Sequence, residues 1–281
     1  MSAGITKGGA SAAERHDGIA VAPGGLEILS RGQGRPILLI HGVNTISPKA
    51  PFLDGLARHG EIIAPSAPGF GHSPRPTDFD TMYDLVQLYR EVLDGLPDKA
   101  IVIGFSFGGW IAAEIATAGS AKMHRLVLVD PVGIKIGGRE ERDIVHFFNT
   151  SPDELNRLSW HDPARRPQGT YGLGWQSAID DAMPDDDLVV LARNWDALCL
   201  YAWRPHMYNP QLAHWLHRIS VPTLVLWGAS DRIVTPDYGR AWARRIPGAR
   251  FELIEEAGHH PELEQPQAFV DRVARFVAGT S

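Results

Sequence analysis

The sequence has little cysteine, no long apolar run and no excess of positive charge. Cys199 is the single cysteine among 281 residues, which excludes an intramolecular disulfide and a zinc site built from cysteines. Lys and Arg number 27 against 33 Asp and Glu, a net charge of −6, whereas nucleic-acid binding normally needs a basic face. The apolar stretches are too short to span a membrane, and residues 1–17 lack the apolar run of a signal peptide. We therefore expect a cytoplasmic protein that binds no nucleic acid, with residues 1–17 as a flexible lead-in.

Short aliphatic runs recur along the chain and alternate with longer amphipathic patterns. The runs lie at 37–40, 61–64, 100–103, 125–129, 222–227 and 250–254, and helical periodicity covers 81–96, 107–117, 238–246 and 267–277. Continuously apolar runs are typical of strands that are buried on both faces, as in a parallel sheet. Strands that alternate with helices predict an α/β fold, a mostly parallel, doubly wound sheet with right-handed crossovers.

Residues 136–214, called the inserted segment below, interrupt this alternation because their helical patterns have no convincing strands between them. Ser151 to Glu154 has the sequence of a capping box, and apolar residues repeat at helical spacing across 186–203. The segment also carries Phe147, Phe148, Trp160, Tyr171, Trp175, Trp195, Tyr201, Trp203 and Tyr208. We expect a helical lid over a pocket, inserted between core segments 18–135 and 215–281, with most of these aromatic side chains packed inside the insertion.

The sequence Gly104-Phe105-Ser106-Phe107-Gly108 follows a predicted strand and opens a predicted helix. In this setting G-x-S-x-G is the pattern of a nucleophile elbow, a turn too tight for side chains at its glycines. Such a turn lifts the serine hydroxyl clear of the sheet, at the positive end of a helix. Ser106 is therefore the candidate nucleophile, in preference to a serine in an ordinary turn.

A serine nucleophile needs a base, and the base needs an orienting acid. In α/β sheets both follow later strands, the acid first and the histidine second. Asp231 follows the fifth aliphatic run and His259 the sixth, so these are the candidate acid and base. Asp130, which directly follows the fourth run, is a competing acid whose other interpretation is a structural carboxylate beside the insertion. His259 is preferred to His260 because it directly follows Gly258, where the backbone can turn the ring inward.

Negative charge that develops on a carbonyl oxygen needs preorganised N–H donors. The candidate donors are the backbone N–H of Phe107, directly after the nucleophile, and that of Val43, in the loop after the first aliphatic run. Asn44 is the alternative donor in that loop, whereas the ring of His41 is expected to brace it. No histidine pair has the spacing of a metal site, and we expect neither a metal ion nor a cofactor.

Together these motifs resemble the α/β-hydrolase superfamily, in particular its capped branch of serine esterases and carbon–carbon bond hydrolases. The resemblance covers about Gly25 to Phe276 and includes LLIHG at 38–42, PGFGHSPRP at 68–76, GFSFGG at 104–109, VPTLVLWGASDRIVTP at 221–236 and AGHHPELEQP at 257–266. It implies an α/β-hydrolase fold with a helical cap inserted after the sixth strand, and a triad of Ser106, His259 and Asp231. A serine at 106 departs from the aspartate nucleophile of the superfamily's dehalogenases and epoxide hydrolases.

The expected function is hydrolysis of carboxylic esters or lactones through an acyl-enzyme on Ser106. The alternative within enzymes is a hydrolase of carbon–carbon bonds in ring-fission products, or of enol-lactones, with the same triad. Phe105 and His260 stand where carbon–carbon hydrolases usually have asparagine and tryptophan, and VNTI at 43–46 replaces their SGPG-like loop. An alternative of another class is a small-molecule receptor that keeps an intact triad.

The charge of the inserted segment bears on the expected substrate. The segment is acidic overall, which disfavours strongly anionic substrates unless Arg193 or Arg204 points inward. Arg193 and Asn194 could then hold a carboxylate, as the carbon–carbon alternative requires. Its many aromatic residues favour an apolar acyl or aryl group, so we expect medium-sized, mostly apolar esters as small-molecule substrates.

Overall fold

The structure is a computed structural model that describes residues 19–21, 25–167, 169–179 and 183–279, so the expected lead-in at 1–17 lies outside it. The strands are β1 (Ile19–Val21), β2 (Glu27–Arg31), β3 (Pro36–Ile40), β4 (Glu61–Pro65), β5 (Ala100–Phe105), β6 (Met123–Val129), β7 (Thr223–Gly228) and β8 (Arg250–Ile254). Each of the six aliphatic runs becomes a strand, from β3 to β8, and their ends shift by no more than two residues. The strand prediction is therefore confirmed.

The eight described strands form one sheet in the order β1-β2-β4-β3-β5-β6-β7-β8. All neighbours from β4 to β8 pair in parallel, as predicted. β1 and β2 pair antiparallel to their neighbours, and the sequence analysis did not predict them. β2 has the sequence EILSR and lacks a continuous apolar run. A strand near the sheet edge does not need such a run, since it is not buried on both faces.

Helices connect the strands and cover the sheet. They are α1 (Leu53–Leu56), α2 (Met82–Asp94), α3 (Phe107–Ala118), α4 (Pro152–Ser159), α5 (Asp185–Ala202), α6 (Leu212–Trp215), α7 (Pro236–Arg245), α8 (Pro261–Glu264) and α9 (Pro266–Ala278). The five longest lie where periodicity or capping predicted a helix, within two residues at each end for α2, α3, α5, α7 and α9. No described helix has the length and hydropathy needed to cross a membrane.

The predicted capping box at the start of α4 is only half formed. Oγ of Ser151 accepts a hydrogen bond from the N–H of Glu154 at 3.3 Å. The Glu154 carboxylate does not complete the box, because it binds the guanidinium of Arg157 at 2.6 and 2.9 Å. A charge-assisted, bidentate contact with arginine is stronger than one more bond to a backbone N–H.

The core lies in two layers, one on each face of the sheet. Successive strand residues alternate between the layers, so that Leu38 packs with residues of α2, α3 and α7, while Ile37 and Leu39 pack with residues of α1 and α9. This is the doubly wound arrangement that the sequence predicted. It fixes the carboxyl ends of the parallel strands as a rigid platform for the loops that follow them.

The inserted segment follows β6, the sixth strand along the chain, and leads back to β7. Its described residues contain α4, α5, the start of α6 and short 3-10 turns but no strand, apart from one bridge between Tyr208 and Gly133. The exact boundaries of core and lid stay a prediction.

The sheet has a switch point at β3. Its two neighbours are β4 and β5, so the connections that follow β3 and β4 run in opposite directions along the sheet. Open α/β sheets bind ligands in the crevice at the carboxyl ends of strands beside such a point. The loop after β3 contains Val43, and the turn after β5 contains Ser106, so both lie at this crevice.

Candidate active site

Ser106 lies in a sharp turn between β5 and α3, as predicted. Its φ is +47°, which is uncommon for a residue other than glycine and marks a locally strained backbone. A Cβ added to Gly104 would lie 2.5 Å from the carbonyl oxygen of Gly108, and one added to Gly108 would overlap the backbone of Ile40 and His41. The turn therefore excludes side chains at both glycines and holds the serine at the positive end of α3.

Asp231 lies in the turn after β7. Its own backbone N–H donates to the carbonyl oxygen of Gly228 at 3.1 Å. Oδ1 accepts hydrogen bonds from the backbone N–H groups of Ile233 and Val234, at 2.8 and 3.2 Å. These contacts fix the carboxylate and leave Oδ2 directed at the next loop of the site.

His259 lies in the loop after β8 and joins the other two side chains. Its Nδ1 is 2.8 Å from Oδ2 of Asp231, and its Nε2 is 2.8 Å from Oγ of Ser106. Because a carboxylate only accepts, Nδ1 carries the ring hydrogen, and Nε2 is free to accept the serine O–H. The histidine and aspartate side chains are fully buried, so water does not compete for their contact.

The structure corrects the reason for preferring His259 to His260. Gly258 does not have a positive φ, so it is not needed to turn the backbone. Its lack of a side chain matters because an added Cβ would overlap the carbonyl oxygen of Ser159 and lie 2.8 Å from the carbonyl carbon of Trp160. The His260 ring lies outside the hydrogen-bonded set, and its Nδ1 is 3.8 Å from a carboxylate oxygen of Glu262.

Of the two predicted oxyanion donors, Val43 lines the same cavity as Ser106, and Phe107 directly follows Ser106 in the chain. Phe107 is the first residue of α3, where backbone N–H groups have no partner within the helix. Neither its N–H nor that of Val43 donates to another group in the described part of the chain. The Asn44 side chain serves a different purpose, since its amide donates to the carbonyl oxygen of Tyr171 at 2.7 Å and accepts from Asn194 at 3.3 Å.

His41 connects the loop after β3 to the loop after β4. Its Nε2 accepts the backbone N–H of Ala67 at 2.9 Å, and its Nδ1 lies 2.9 Å from the carbonyl oxygen of Gly42. Burial lowers the pKa of His41 to about 4, although the contact with Gly42 acts in the opposite direction. A neutral ring with both nitrogens engaged holds the loop in place, as expected, and has no position free for proton transfer.

Asp130, the competing acid of the sequence analysis, also lies at the site. Its carboxyl group, Asp231 and His259 offer atoms that all lie within 4.8 Å of one another, which is the spacing of a possible metal site. A metal ion there would compete with the hydrogen bond between Nδ1 of His259 and Asp231 for the same atoms. The histidine contacts Asp231, so Asp231 remains the candidate orienting acid, in preference to Asp130.

Ser106 and His259 line a cavity of about 300 Å³. Aliphatic side chains in its lining include Leu29, Val43, Ile46, Val190, Leu191 and Leu263, and polar side chains such as Asn44, Ser66 and Asn194 lie among them. The inserted segment contributes residues 169–171 and part of α5 to the lining. Of its nine aromatic residues, Tyr171 is the one in the described lining, while others pack within the segment, for example Phe148 against Trp195 and Trp203.

The charges around the cavity are negative. Glu27, Asp187 and Glu262 line it, and the described lining includes neither lysine nor arginine. Arg193 points elsewhere, since its guanidinium donates to the carbonyl oxygen of Ser73 at 3.0 Å, and Arg204 is exposed. Neither arginine therefore points into the cavity, as binding of a strongly anionic substrate by the insertion would require.

An elbow serine on a mostly parallel sheet, with histidine and aspartate on the loops of later strands, is the arrangement of α/β proteins that hydrolyse their substrates. Comparison with known sequences gives the same class. The sequence profile of the alpha/beta hydrolase family matches residues 37–272, and the chain belongs to this family.

Individual relatives differ in their reactions. The chain is 27% identical to a 2-hydroxymuconate semialdehyde hydrolase from Pseudomonas putida, over 88% of this chain and 89% of the relative. It is 26% identical to a pimeloyl-[acyl-carrier protein] methyl ester esterase from Aeromonas salmonicida, over 88% and 96%. The structure of a meta-cleavage product hydrolase from Pseudomonas fluorescens IP01 superposes with a TM-score of 0.67 at 21% identity, covering 93% of this chain and 97% of that one. The fold and the general class are shared, whereas the bond that is cleaved varies.

Proposed function

We propose that the protein is a serine hydrolase that cleaves carboxylic esters or lactones through an acyl-enzyme on Ser106. The observation that carries the proposal is the pair of 2.8 Å contacts that connect Ser106 to His259 and His259 to Asp231. A serine in an ordinary turn needs neither a buried imidazole at its hydroxyl nor a carboxylate behind that imidazole.

In the proposed reaction, Nε2 of His259 accepts the serine proton while Oγ of Ser106 attacks the carbonyl carbon. Asp231 keeps the hydrogen on Nδ1 and stabilises the imidazolium that forms. The N–H groups of Val43 and Phe107 bind the oxyanion of the tetrahedral intermediate. His259 then gives its proton to the leaving alcohol, and a water molecule that it activates releases the acid from Ser106. The residues of the chain suffice for these steps, and no cofactor is required.

The cavity supports small to medium-sized, mostly apolar and uncharged esters. A volume of about 300 Å³ is at the lower end of the range for small-molecule pockets. The aliphatic side chains in the lining favour an apolar acyl group, whereas the three carboxylates in the lining repel an anionic one. In this proposal the inserted segment acts as the lid, because residues 169–171 and α5 form one side of the cavity.

The second candidate function is carbon–carbon bond hydrolysis, and the likeness to the hydrolase from Pseudomonas putida favours it. The muconate in that protein's name denotes a carboxylate. Recognition of a carboxylate normally uses arginine or lysine, and neither is found in the described lining of this cavity. Ester hydrolysis is therefore the first proposal, and hydrolysis of ring-fission products or enol-lactones is the alternative.

The test is hydrolysis of a p-nitrophenyl ester series, from acetate to decanoate, by the wild type, Ser106→Ala and the control Ser120→Ala. Ser120 lies outside the site, in the loop after α3. We expect the wild type and the control to hydrolyse the shorter esters, and Ser106→Ala to lose a factor of about 10⁴ or more in kcat. The chain length at which kcat/KM falls reports the depth of the cavity.

Two further results distinguish the alternatives. If kcat/KM for a ring-fission product exceeds that for every ester, the protein is a carbon–carbon bond hydrolase and the ester proposal is wrong. A folded wild type that turns over neither class, yet binds a small molecule with the same affinity as Ser106→Ala, would identify a receptor instead.

A further inference from the structure

Asp130 is a buried acid that the proposed reaction does not use. It directly follows β6 at a φ of +43°, a conformation that is uncommon outside glycine, and it is fully buried. Its carboxyl group faces that of Asp231 on the neighbouring strand β7. Two adjacent buried carboxyl groups cannot both be ionised without a large electrostatic cost, so one of them holds a proton.

The hydrogen-bond donors around the pair are shared unequally. Asp231 accepts three, from the N–H groups of Ile233 and Val234 and from the ring of His259. Asp130 accepts one, because its Oδ1 receives the N–H of Gly228 at 2.9 Å. Its Oδ2 is buried, and no donor in the described residues reaches it. Donors stabilise the ionised form, so the negative charge belongs on Asp231 and the proton on Oδ2 of Asp130.

We propose that Asp130 is a positioning residue that carries a proton at neutral pH and donates its O–H to the carboxylate of Asp231. The inference rests on the proposed function only in giving Asp231 the role of orienting acid. The donated hydrogen bond holds Asp231 in the orientation that contacts His259, and it satisfies the one buried oxygen of the pair that lacks a partner. The imidazole then has one negative charge beside it, whereas two ionised carboxylates would place two negative charges there.

The electrostatic surroundings agree with this assignment. Burial raises the pKa of Asp130 well above its ordinary range, and the negative charge of Asp231 raises it further. The titratable groups that face the pair from neighbouring elements are His259 after β8 and Glu262 in α8, whereas Arg232, the residue after Asp231, does not face it. Glu262 acts in the same direction as Asp231 on Asp130. Arg232 turns away to the carbonyl oxygens of Arg157 and Trp160, so it does not neutralise a second negative charge.

The test measures the pH titration of the His259 ring by NMR in the full chain, with the assignment made from the signal lost in His259→Gln. Asp130→Asn keeps a neutral group with one donor and one acceptor, like a protonated carboxyl group. Asp130→Ala removes the donor to Asp231. Asp94→Asn, at an exposed position of α2, controls for the change in net charge. The same series is then labelled at Ser106 with a fluorophosphonate as a function of pH, which needs no knowledge of the substrate.

The two protonation states of Asp130 predict opposite results. If Asp130 is protonated, the titration midpoint of His259 in Asp130→Asn equals that of the wild type. In Asp130→Ala the midpoint rises, because Asp231 loses a donor and becomes a stronger acceptor towards the ring. If Asp130 is ionised, both variants lose a nearby negative charge and the midpoint falls by about one pH unit or more, which overturns the inference. An unchanged midpoint in a folded Asp130→Ala also overturns it. Should Asp130→Ala not fold, Asp130→Asn alone still decides.

Failure of the proposed function has a different signature. A wild type that neither reacts with the fluorophosphonate nor hydrolyses any ester contradicts the role of Ser106 as nucleophile. The midpoints of His259 in the Asp130 variants remain measurable in that case, so the proton on Asp130 is tested independently.

Discussion

The backbone N–H of His259 donates a 2.6 Å hydrogen bond to the carbonyl oxygen of Ser159, the last residue of α4. α4 belongs to the inserted segment, so the position of this histidine depends on that segment as well as on β8. Gly258 packs against the same backbone, without room for a side chain. The insertion therefore helps to orient the candidate base, in addition to lining the cavity.

The close packing at Gly258 makes a methyl group there disruptive. We predict that Gly258→Ala forces the loop of His259 away from α4, because an added Cβ overlaps the backbone of Ser159 and Trp160. A displacement of this kind lowers ester hydrolysis by about 10²-fold. The strain lowers the free energy of unfolding by about 1–3 kcal/mol. Steady-state kinetics and thermal unfolding measure the two effects.

Gly138→Ala is the matched control for this substitution. Its added Cβ meets the Glu141 side chain at 3.6 Å, an ordinary contact, and we expect wild-type activity and stability. Full activity of Gly258→Ala would show that α4 does not hold the histidine loop.

Asp231 presents its two oxygens to different partners, and this decides what an amide would do at that position. Oδ1 accepts the N–H groups of Ile233 and Val234, so an asparagine keeps its carbonyl oxygen there and turns its NH₂ group towards Nδ1 of His259. Nδ1 must then accept, Nε2 carries the hydrogen, and the ring no longer accepts the proton of Ser106. We predict that Asp231→Asn lowers kcat by roughly 10⁴-fold while KM changes little.

The control is Asp237→Asn, an exposed carboxylate in α7, which is expected to keep wild-type kinetics. Circular dichroism of both variants verifies that the fold is retained. A loss of less than about tenfold in Asp231→Asn would mean that another group, for example Asp130 in the same cluster, orients the histidine.

The sequence predicts those features that depend on one segment at a time. Ser106, Asp231 and His259 could be placed because each lies in the turn or loop after a strand pattern, and parallel strands bring their carboxyl ends to one edge of the sheet. The glycines of the elbow follow from the same local geometry. Strand β2, next to β1 at one side of the sheet, could not be predicted in this way, because EILSR has only two adjacent apolar residues and no pattern that separates it from a loop.

The sequence patterns of single segments do not show which distant segments contact each other. The pairing of Asp130 with Asp231 depends on β6 and β7 being neighbours in the sheet, although the inserted segment separates them in sequence. The reason for Gly258 is likewise a contact with α4 across the molecule, not a property of its own turn. The sequence predicts that most aromatic side chains of the insertion pack inside it. Phe148 does so against Trp195 and Trp203, whereas Tyr201 stacks on Phe70 outside the insertion, a contact that no local pattern shows.

We predict that the carboxylate of Glu27 disfavours anionic esters in the cavity. Glu27 lines the cavity, and its Oε2 accepts from the Ser66 hydroxyl at 2.9 Å and the His72 N–H at 3.2 Å, which a glutamine oxygen could also do. We predict that Glu27→Gln raises kcat/KM for a succinate monoester about tenfold relative to the neutral butyrate ester, because one repulsive charge is lost. Glu91→Gln, exposed on α2, is the control. If the ratio of kcat/KM between the two esters is unchanged in Glu27→Gln, the charge of Glu27 does not decide the selectivity between them.

The buried ring of His41 makes the stability of the protein depend on pH. Its pKa is lowered to about 4 in the folded chain by burial, whereas an unfolded chain binds the proton near pH 6.5. Between these values the unfolded state holds more protons, so the free energy of unfolding falls as the pH is lowered from 6.5 to 4, by about 3 kcal/mol in total from this residue. In His41→Gln, whose side-chain oxygen can still accept the N–H of Ala67, we predict a shallower loss of stability over this range. Denaturant unfolding at pH 7.5, 6.0 and 4.5 measures it, and parallel curves for the wild type and His41→Gln would contradict a neutral, buried ring at this position.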